Sequence, residues 1–411
     1  MSTSTQFATI GGIGTSNPQH VLTQADALKM FQDLTCVDQR QRRLAKALFE
    51  KANVEQRYIC VPYQATYRWC SLDLVQQINA QGDSHDEVEY LSRAVDSLPA
   101  LTPGASAGLT TGQRSRLYAH FAGDLAAESA RAALRNANVE ALSVTHLVTV
   151  SCTGFASPGV DIHLIKTLGL PATVQRTNVA FMGCHGAING IRTANNIVKS
   201  DPQAVVLMTA VELCSLHCPF QWETEKIVGN ALFADGSASL VLCHGESSAP
   251  STSSSTISWE VIDCGSTLIP ESESALSWNV GDHGFEMILT SAIGEHIEAT
   301  LLDWITGWLS QRGVGLEQIE HWGVHPGGPR ILSAVKNSLQ LTDHQLATSM
   351  EVLKNFGNMS SPTVLFILNE FQKSLKASQQ TDSGYGVLVA FGPGMIAEVA
   401  LLKSIPVRND A

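Results

Sequence analysis

Apolar residues follow two alternating patterns along the chain. In residues 124–136 they recur at helical spacing, whereas residues 146–150 form a short apolar run that ends in a polar corner at 151–154. A periodic segment predicts a helix, and a short apolar run predicts a buried strand. Further strands are predicted at 204–212, 238–243 and 257–263, and further helices at 187–199 and 362–371. This alternation favours an α/β fold with parallel strands, whose chemistry gathers where strands end.

The serine- and threonine-rich segment 245–256 separates two stretches of similar pattern. Because it can bury little, it predicts a boundary between residues 1–244 and 257–411. Beyond it follow the strand 257–263, a long amphipathic stretch at 287–309 and a short strand that ends in residues 324–328. We interpret the two halves as a diverged internal duplication. Residues 81–112 follow no clear period and are interpreted as a surface insertion that could serve as a lid.

The charge balance argues against one class of partner. The 411 residues include 26 basic and 38 acidic side chains, a formal charge of −12, so the chain lacks the overall basic field that nucleic acid or an anionic membrane attracts. Apolar residues make up 44% and charged residues 16% of the chain, which suits a large interior and also a buried subunit contact. We expect no nucleic-acid or membrane partner.

The N-terminus and the cysteines bear on the compartment. Residues 1–7 lack the basic start and apolar stretch of a signal peptide, and no later apolar run is long enough to span a bilayer. Nine scattered cysteines fit a reducing compartment better than a disulfide framework. We therefore expect a soluble cytoplasmic protein. Cys214, His217 and Cys218 have ligand-like spacing but no second ligand pair, so no metal site is expected.

Cys184 lies in the string MGCHGA at residues 182–187, at the start of the predicted helix 187–199. A helix start presents unpaired N–H groups and the positive end of the peptide dipoles, which lower the pKa of a thiol and favour a thiolate nucleophile. The alternative is a small core cysteine packed at a glycine-rich turn. The motif alone leaves both interpretations open.

Two further polar residues occupy similar corners. His325 ends a predicted strand before PGGP at 326–329, and Asn358 precedes the predicted helix 362–371. A lone histidine there is more often structural, and the asparagine could belong only to a helix cap. Together with Cys184, however, they form a set in which cysteine accepts an acyl group while histidine and asparagine donate hydrogen bonds to one oxygen. The combination predicts an acyl-transfer site with an oxyanion hole.

These motifs resemble those of the type III polyketide synthases, the chalcone-synthase-like enzymes. The resemblance rests on GC at 183–184, VHPGGP at 324–329 and FGNMSS at 356–361. FGPG at 391–394 resembles the family's closing loop, although Ala390 replaces its usual first glycine. ALFADG at 231–236 resembles the segment that carries a gatekeeper phenylalanine, here Phe233. The motifs occur in the family's order over most of the chain.

The resemblance implies the thiolase fold, with five αβαβα layers built from two similar halves, and a homodimer. It implies that Cys184 accepts the acyl group of a starter acyl-CoA, and that His325 and Asn358 stabilise the enolate formed when malonyl-CoA loses carbon dioxide. Repeated extension and cyclisation would give a pyrone, resorcinol-type or chalcone-type product, with CoA thioesters as substrates and no cofactor. Phe233 and Phe285 would separate the CoA tunnel from the reaction cavity and exclude water.

Further substrate-binding positions follow from the same resemblance, although core packing is an equally good interpretation for the cavity positions taken singly. They are Cys152, Thr153, Ser157, Cys214, His217, Trp278, Gly327, Gly328 and, for the CoA phosphates, Arg57. Arg57 follows a basic run of Arg42, Arg43, Lys46 and Lys51, whose other interpretation is an exposed helix face. The small or apolar positions Cys152, Ser157, Cys214 and Leu276 favour an aliphatic starter, whereas Trp278 would shorten the pocket.

Two other function classes remain. A ketoacyl-acyl-carrier-protein synthase III-like enzyme performs a single condensation with cysteine, histidine and asparagine, but its histidine is normally followed by Gln-Ala-Asn, whereas this chain has PGG at 326–328. A catalytically silent thiolase-like scaffold would not require all three polar residues.

Overall fold

The computed structural model describes residues 7–63, 109–218, 221–245, 258–378 and 383–405. The strands are β1 Ala8–Ser16, β2 His20–Thr23, β3 Gln56–Ile59, β4 His146–Ser151, β5 Gln175–Ala180, β6 Val205–Leu213, β7 Asp235–His244, β8 Ser258–Leu268, β9 Leu276–Gly281, β10 Gly284–Leu289, β11 Ile319–Val324, β12 Tyr385–Gly392 and β13 Ile396–Ile405. The helices are α1 Gln24–Thr35, α2 Gln39–Lys51, α3 Thr111–Ala137, α4 Val160–Leu168, α5 Gly186–Ser200, α6 Thr224–Leu232, α7 Ile293–Ser310, α8 Pro329–Leu339, α9 Asp343–Phe356 and α10 Thr363–Ala377.

Nine strands form one mixed sheet, in the order β11-β12-β13-β8-β1-β7-β6-β4-β5. β4 pairs in parallel with β5 and β6, and β11 pairs in parallel with β12, whereas the pairs between them are antiparallel. The prediction of parallel strands is therefore right only for the two flanks. β12 and β13 are joined by residues 393–395 alone, and so short a connection can join only antiparallel neighbours.

The two ends of the sheet repeat one pattern. The runs β4-β6-β7-β1 and β11-β12-β13-β8 share the same succession of one parallel and two antiparallel pairs. α3 precedes β4 as α7 precedes β11, and α5 precedes β6 as α10 precedes β12. β1 and β8 join the two runs through residues 8–10 and 259–261. Each helix of the first run thus has a counterpart at the same place in the second run.

Three apolar clusters separate the layers. α5 and α10 lie in the middle, where each contacts strands of both runs and shares one cluster with them. α3 and α4 cover the outer face of the first run, and α7 and α8 cover that of the second. The result is the predicted five-layered αβαβα arrangement. It brings the N-termini of α5 and α10, which follow Cys184 and Asn358, towards the centre of the molecule.

Several predicted boundaries move. α3 begins at Thr111 rather than at residue 124, because Thr110 and Gln113 form a capping box at its first turn. Leu109 is fully buried, so the end of the predicted insertion 81–112 belongs to the fold, while residues 81–108 lie outside the described residues. The stretch 287–309 divides into the end of β10 and α7. Residues 246–256 of the predicted boundary segment also lie outside the described residues.

Candidate active site

Cys184 lies in a short 3₁₀ turn, Gly183–His185, between β5 and α5. Gly183 has φ of 71°, and a Cβ there would lie 2.4 Å from Cδ of Pro393, so glycine is required and the predicted closing loop packs directly on this turn. Burial raises the pKa of Cys184 to about 11, although hydrogen bonds from Ser360 and Asn358 act to lower it. The prediction of a thiolate favoured by the helix start is therefore wrong for the substrate-free site.

Two backbone hydrogen bonds hold Asn358 in place. Its N–H donates to the carbonyl of Leu232 at 2.8 Å, and its carbonyl accepts from the N–H of Ala234 at 2.9 Å. The side-chain Oδ1 accepts from the N–H of Ser360 at 2.8 Å, which leaves the amide N–H₂ group as the donor to Cys184. The N-cap of α10 is Pro362, so Asn358 is not the cap of that helix.

His325 has the opposite character, because its ring is buried without a partner. The residue is 1% exposed, and its backbone N–H donates to the carbonyl of Val389 at 2.8 Å. Neither ring nitrogen has a hydrogen-bond partner among the described residues. Burial lowers the pKa of His325 to about 3, and the nearby His185, which follows Cys184, adds to the effect. An unpartnered buried imidazole is costly unless a ligand completes it.

Glu212 is a site residue that the motifs did not reveal. Its fully buried carboxylate accepts from the N–H of Cys152 at 2.9 Å, from the hydroxyl of Thr153 at 2.6 Å and from the hydroxyl of Ser361 at 2.5 Å. Burial raises its pKa. It thereby ties the ends of β4 and β6 to the loop after Asn358. The only signal in the sequence is an acidic residue at the end of an otherwise apolar strand.

Phe233 and Phe285 belong to one aromatic cluster, defined here as these two residues with His217 and Trp278. His217 stacks on Phe285 with ring centroids 4.0 Å apart, and Trp278 meets Phe285 edge-on at 5.6 Å and Phe233 at 6.3 Å. Phe285 is 3% exposed. The backbone bridge between Phe233 and Asn358 attaches the cluster to the site. Two phenylalanines that the motifs did not reveal, Phe155 and Phe181, contact Phe285 from the other side.

His217 is a fixed neutral donor in this cluster. Its Nε2–H donates to the carbonyl of Thr153 at 2.6 Å, while Nδ1 accepts from the N–H of Phe285 at 3.3 Å. Burial lowers its pKa to about 3, and the charge of Arg114 adds to this. Both nitrogens are thus engaged. Within the described residues, no group of three or more His, Cys, Asp or Glu side chains could hold a metal ion.

The remaining positions predicted to line the pocket fall into two groups, one buried and one exposed. Cys152 and Cys214 are buried, their thiols interact electrostatically with Cys184, and Cys152 Sγ lies 3.4 Å from Oγ of Ser360. Ser157, in contrast, is exposed and lines a separate cleft of about 620 Å³, whose lining does not include Cys184. Ser157 therefore differs in exposure from the buried cysteines, and its place in the pocket of Cys184 stays a prediction.

A larger cleft of about 760 Å³ opens beside Gly327 and Gly328. Leu232, next to Phe233, is among its lining residues, and Lys51 is the one member of the predicted basic set that lines it. Arg42 pairs with Asp33 and Lys46 with Glu50 on exposed helix faces. Arg57 is 2% exposed, and carbonyl groups surround its guanidinium. Its position therefore contradicts the prediction that it binds CoA phosphates.

Comparison with solved structures places the layered sheet in a known class. The structure resembles that of PKS-I from the brown alga Ectocarpus siliculosus, with a TM-score of 0.82 and 29% identity over 98% of this chain and 100% of that chain. It shares the fold of the type III polyketide synthase domain of Steely1, a hybrid from Dictyostelium, with a TM-score of 0.77 and 24% identity over 97% and 99% of the two chains. The chain has the thiolase fold.

Sequence relatives narrow the class. Residues 90–246 and 260–406 match the family models for the N-terminal and C-terminal domains of chalcone and stilbene synthases. The alpha-pyrone synthesis polyketide synthase-like Pks18 of Mycobacterium tuberculosis is 28% identical over 98% of this chain and 92% of its own length. The 1,3,6,8-tetrahydroxynaphthalene synthase of Streptomyces peucetius is 28% identical over 96% and 92%. The chain belongs to the chalcone and stilbene synthase family and is a type III polyketide synthase, an acyltransferase that condenses malonyl-CoA iteratively.

Two further observations concern the cysteines and the possibility of membrane-spanning helices. The eight cysteines in the described ranges are all free. None of the helices in the same ranges has the length and apolar character needed to cross a membrane.

Proposed function

We propose that Cys184 carries the growing acyl chain and that His325 and Asn358 stabilise the enolate oxygen of decarboxylated malonyl-CoA. Two observations carry this assignment: a side-chain hydrogen bond from Asn358 favours the thiolate form of Cys184, and the imidazole of His325, which lies near His185, is buried with no partner among the described residues. The reaction supplies the missing partner, since the thioester oxygen gains negative charge as carbon dioxide leaves.

Neutral starting groups suit this chemistry. Burial opposes both a lone thiolate at Cys184 and a lone imidazolium at His325, so both are uncharged at neutral pH. Transfer of the thiol proton to the imidazole creates both charges together without changing the net charge of the site. The thiolate then attacks the acyl-CoA carbonyl and CoA leaves with the proton. His325 is neutral again once CoA has taken the proton, and its ring N–H is then a donor for the later enolate oxygen.

CoA thioesters would enter through the 760 Å³ cleft. Gly327 and Gly328 lie on its wall beside the His325 motif, and Leu232 lies at the side of the gate residue Phe233. Lys51 and Arg330 supply the positive charge for phosphate groups, alongside the acidic residues of α6 and α7. The aromatic cluster would close the reaction cavity against water, which otherwise protonates the enolate.

An aliphatic acyl-CoA is the starter that the wall composition favours. Cys152, Cys214 and Leu276 are buried and small or apolar. The polar groups of the aromatic cluster are already engaged: both nitrogens of His217 and the N–H of Trp278 have partners, so they offer nothing to a phenolic hydroxyl. Alkyl pyrones or alkylated resorcinol-type rings would follow. No metal, nucleotide or redox cofactor is needed for these steps.

We also propose a homodimer in which β5 lies at the contact. β5 forms one edge of the sheet, and four of its six residues in succession, 175–178, are exposed. Beside it lies the 620 Å³ cleft, on which Phe155 is 47% exposed. An uncovered strand edge with an adjoining aromatic residue is normally covered by another chain. Sedimentation velocity should give a dimer, and a monomer at all concentrations would overturn this assignment.

The repeated strand order supports the division into duplicated halves at residues 1–244 and 257–411. The free cysteines support a reducing, cytoplasmic location.

Product analysis tests the function. The enzyme is incubated with malonyl-CoA and straight-chain acyl-CoA starters from short to long, and with malonyl-carrier protein in parallel, and products are identified by mass spectrometry. Multiple two-carbon extensions from malonyl-CoA support the proposal. A single extension that requires the carrier protein, or no condensation at all, would overturn it.

A further inference from the structure

Arg57 on β3 is among the most deeply buried charged side chains of the protein, at 2% exposure. One terminal nitrogen, Nη1, donates to the carbonyls of Asn230 at 2.7 Å and Phe233 at 3.2 Å. The other, Nη2, donates to the carbonyl of Ala231 at 2.9 Å and to the side-chain oxygen of Gln24. The guanidinium therefore encloses one short stretch of backbone, residues 230–233, which we call the gate segment.

The gate segment ends α6, where the last carbonyl groups have no partner within the helix and carry the negative end of its dipole. A planar cation with several fixed donors suits such a cluster of carbonyls better than any neutral side chain. Gln24 reinforces the arrangement, because its Nε2 donates to the carbonyls of Ala231 at 3.1 Å and Phe49 at 2.9 Å. The one carbonyl of the segment that Arg57 does not bind, that of Leu232, accepts from the N–H of Asn358.

The loop that carries Asn358 also packs on Arg57 itself. A Cβ at Gly357 would lie 2.9 Å from the carbonyl oxygen of Leu232 and 3.3 Å from Cβ of Arg57, so only glycine allows this approach. Gly357 has φ of 70°, which glycine also permits. One arginine thus fixes, through shared backbone, the gate residue Phe233 and the donor Asn358.

We propose that Arg57 is a positioning residue that keeps Phe233 closed over the site and Asn358 directed at Cys184, and thereby keeps water away from the enolate. This inference rests on the proposed function. When malonyl-CoA loses carbon dioxide, the electron pair of the broken C–C bond remains on the enolate. In the productive step it forms a bond to the acyl carbon, and the Cys184 thiolate leaves. If water reaches it first, the enolate takes a proton and acetyl-CoA is released.

The ratio of released acetyl-CoA to polyketide product measures this competition. Arg57→Lys keeps the charge but loses the two-pronged donor, and Gln24→Ala removes a partner of Arg57 without touching the guanidinium. Arg312→Gln is the matched control, because Arg312 also donates to a carbonyl at a helix end, that of Trp308 at 2.6 Å, far along the sequence from the gate segment. We expect the ratio to rise by up to about a hundredfold in Arg57→Lys, the scale on which a misplacement of about 1 Å affects rates, less in Gln24→Ala, and not in Arg312→Gln.

Hydrogen exchange at the amides of Ala234 and Asn358 gives a readout that does not depend on catalysis. Faster exchange at both amides in Arg57→Lys, with an unchanged circular dichroism spectrum, supports the positioning role. A folded Arg57→Lys with the wild-type ratio and exchange would overturn it, as would an equal rise in Arg312→Gln. If Arg57→Lys does not fold, Gln24→Ala decides by the same criteria. A wild-type enzyme that neither decarboxylates nor condenses would instead refute the proposed function, while the exchange data would still judge the role of Arg57.

Discussion

The indole N–H of Trp278 donates to the backbone carbonyl of Cys152 at 2.9 Å. This bond connects the β9–β10 hairpin to the polar corner after β4, in which the neighbouring Thr153 and the N–H of Cys152 are bound by Glu212. Trp278 is therefore held in a fixed position where the aromatic cluster meets the corner that carries Cys152. We expect a fixed indole here to form a wall that limits the length of an acyl chain in the reaction cavity.

Removal of this wall should change the choice of starter. Trp278→Ala is expected to shift the optimum of kcat/KM towards longer straight-chain acyl-CoA starters, because each additional buried methylene stabilises the complex by about 0.8 kcal/mol. Trp278→Phe keeps most of the bulk and loses only the N–H, so its optimum should move less. Trp304→Ala on α7 serves as a control for loss of a tryptophan outside the cluster. An unchanged optimum in Trp278→Ala would remove this residue from the cavity wall.

Loss of the nucleophile should separate the two half-reactions. In Cys184→Ala we expect no polyketide but continued release of acetyl-CoA from malonyl-CoA, because acyl loading needs the thiol and enolate stabilisation does not. Cys264→Ala is the matched control, since Cys264 is likewise half-buried, with burial raising its pKa to about 12. Normal product yield from Cys184→Ala, measured by mass spectrometry, would exclude the cysteine from the mechanism.

The asparagine should have the opposite effect. Asn358→Ala is expected to slow decarboxylation by roughly a hundredfold to a thousandfold, the effect of losing one oxyanion donor, while acyl loading of Cys184 is largely preserved. Acetyl-CoA release and the acylated peptide are measured separately. Asn355→Ala, at a half-buried asparagine directly before this motif, controls for local unfolding. Equal loss of both half-reactions in Asn358→Ala would indicate a structural role only.

Asp235, two residues after Phe233, should give stability a characteristic pH dependence. It is fully buried and accepts from the N–H of Cys60 and from Ser215, yet burial raises its pKa from 3.8 to about 6. The folded state then binds the proton more tightly than the unfolded state, so the contribution of Asp235 to the free energy of unfolding is largest below pH 3.8 and falls as the pH rises through 6.

Asp235→Asn removes this titration. The free energy of unfolding of the wild type relative to the variant should fall by about 3 kcal/mol from acid to neutral pH, the equivalent of the shift in pKa. Denaturant unfolding at several pH values provides the measurement, and Asp201→Asn, at an exposed aspartate, corrects for acid unfolding in general. A constant difference between wild type and Asp235→Asn would contradict the expected titration.

Apolar runs and glycine-rich corners are local signals, and they predicted the α/β class, whereas the five layers followed from the resemblance to the type III polyketide synthases. The hydrogen bond from the Asn358 side chain to Cys184 agrees with the predicted grouping of these two residues. The sequence did not reveal that most strand pairs are antiparallel, which depends on how distant strands meet. It also misjudged Arg57. A basic residue near the N-terminus suggests phosphate binding, and only the fold shows that the carbonyls of residues 230–233 surround it. Glu212 was missed for the same reason, since its partners come from three separate segments.

The raised pKa of Cys184 could not be predicted from the sequence either. A helix start lowers the pKa of a thiol, whereas burial in apolar surroundings raises it. Here Cys184 precedes α5 in its own 3₁₀ turn, and burial has the larger effect.

The mass of the peptide that contains Cys184 tests most directly whether this cysteine carries the growing acyl chain. The enzyme is first loaded with an aliphatic acyl-CoA, then supplied with malonyl-CoA, quenched at intervals and digested. We expect an acyl adduct on Cys184 in the first step. Later adducts on the same residue should be longer by successive two-carbon units, and Cys184→Ala should give neither. An acyl group on another residue, or polyketide formed at full rate without any adduct on Cys184, would contradict this role of the cysteine.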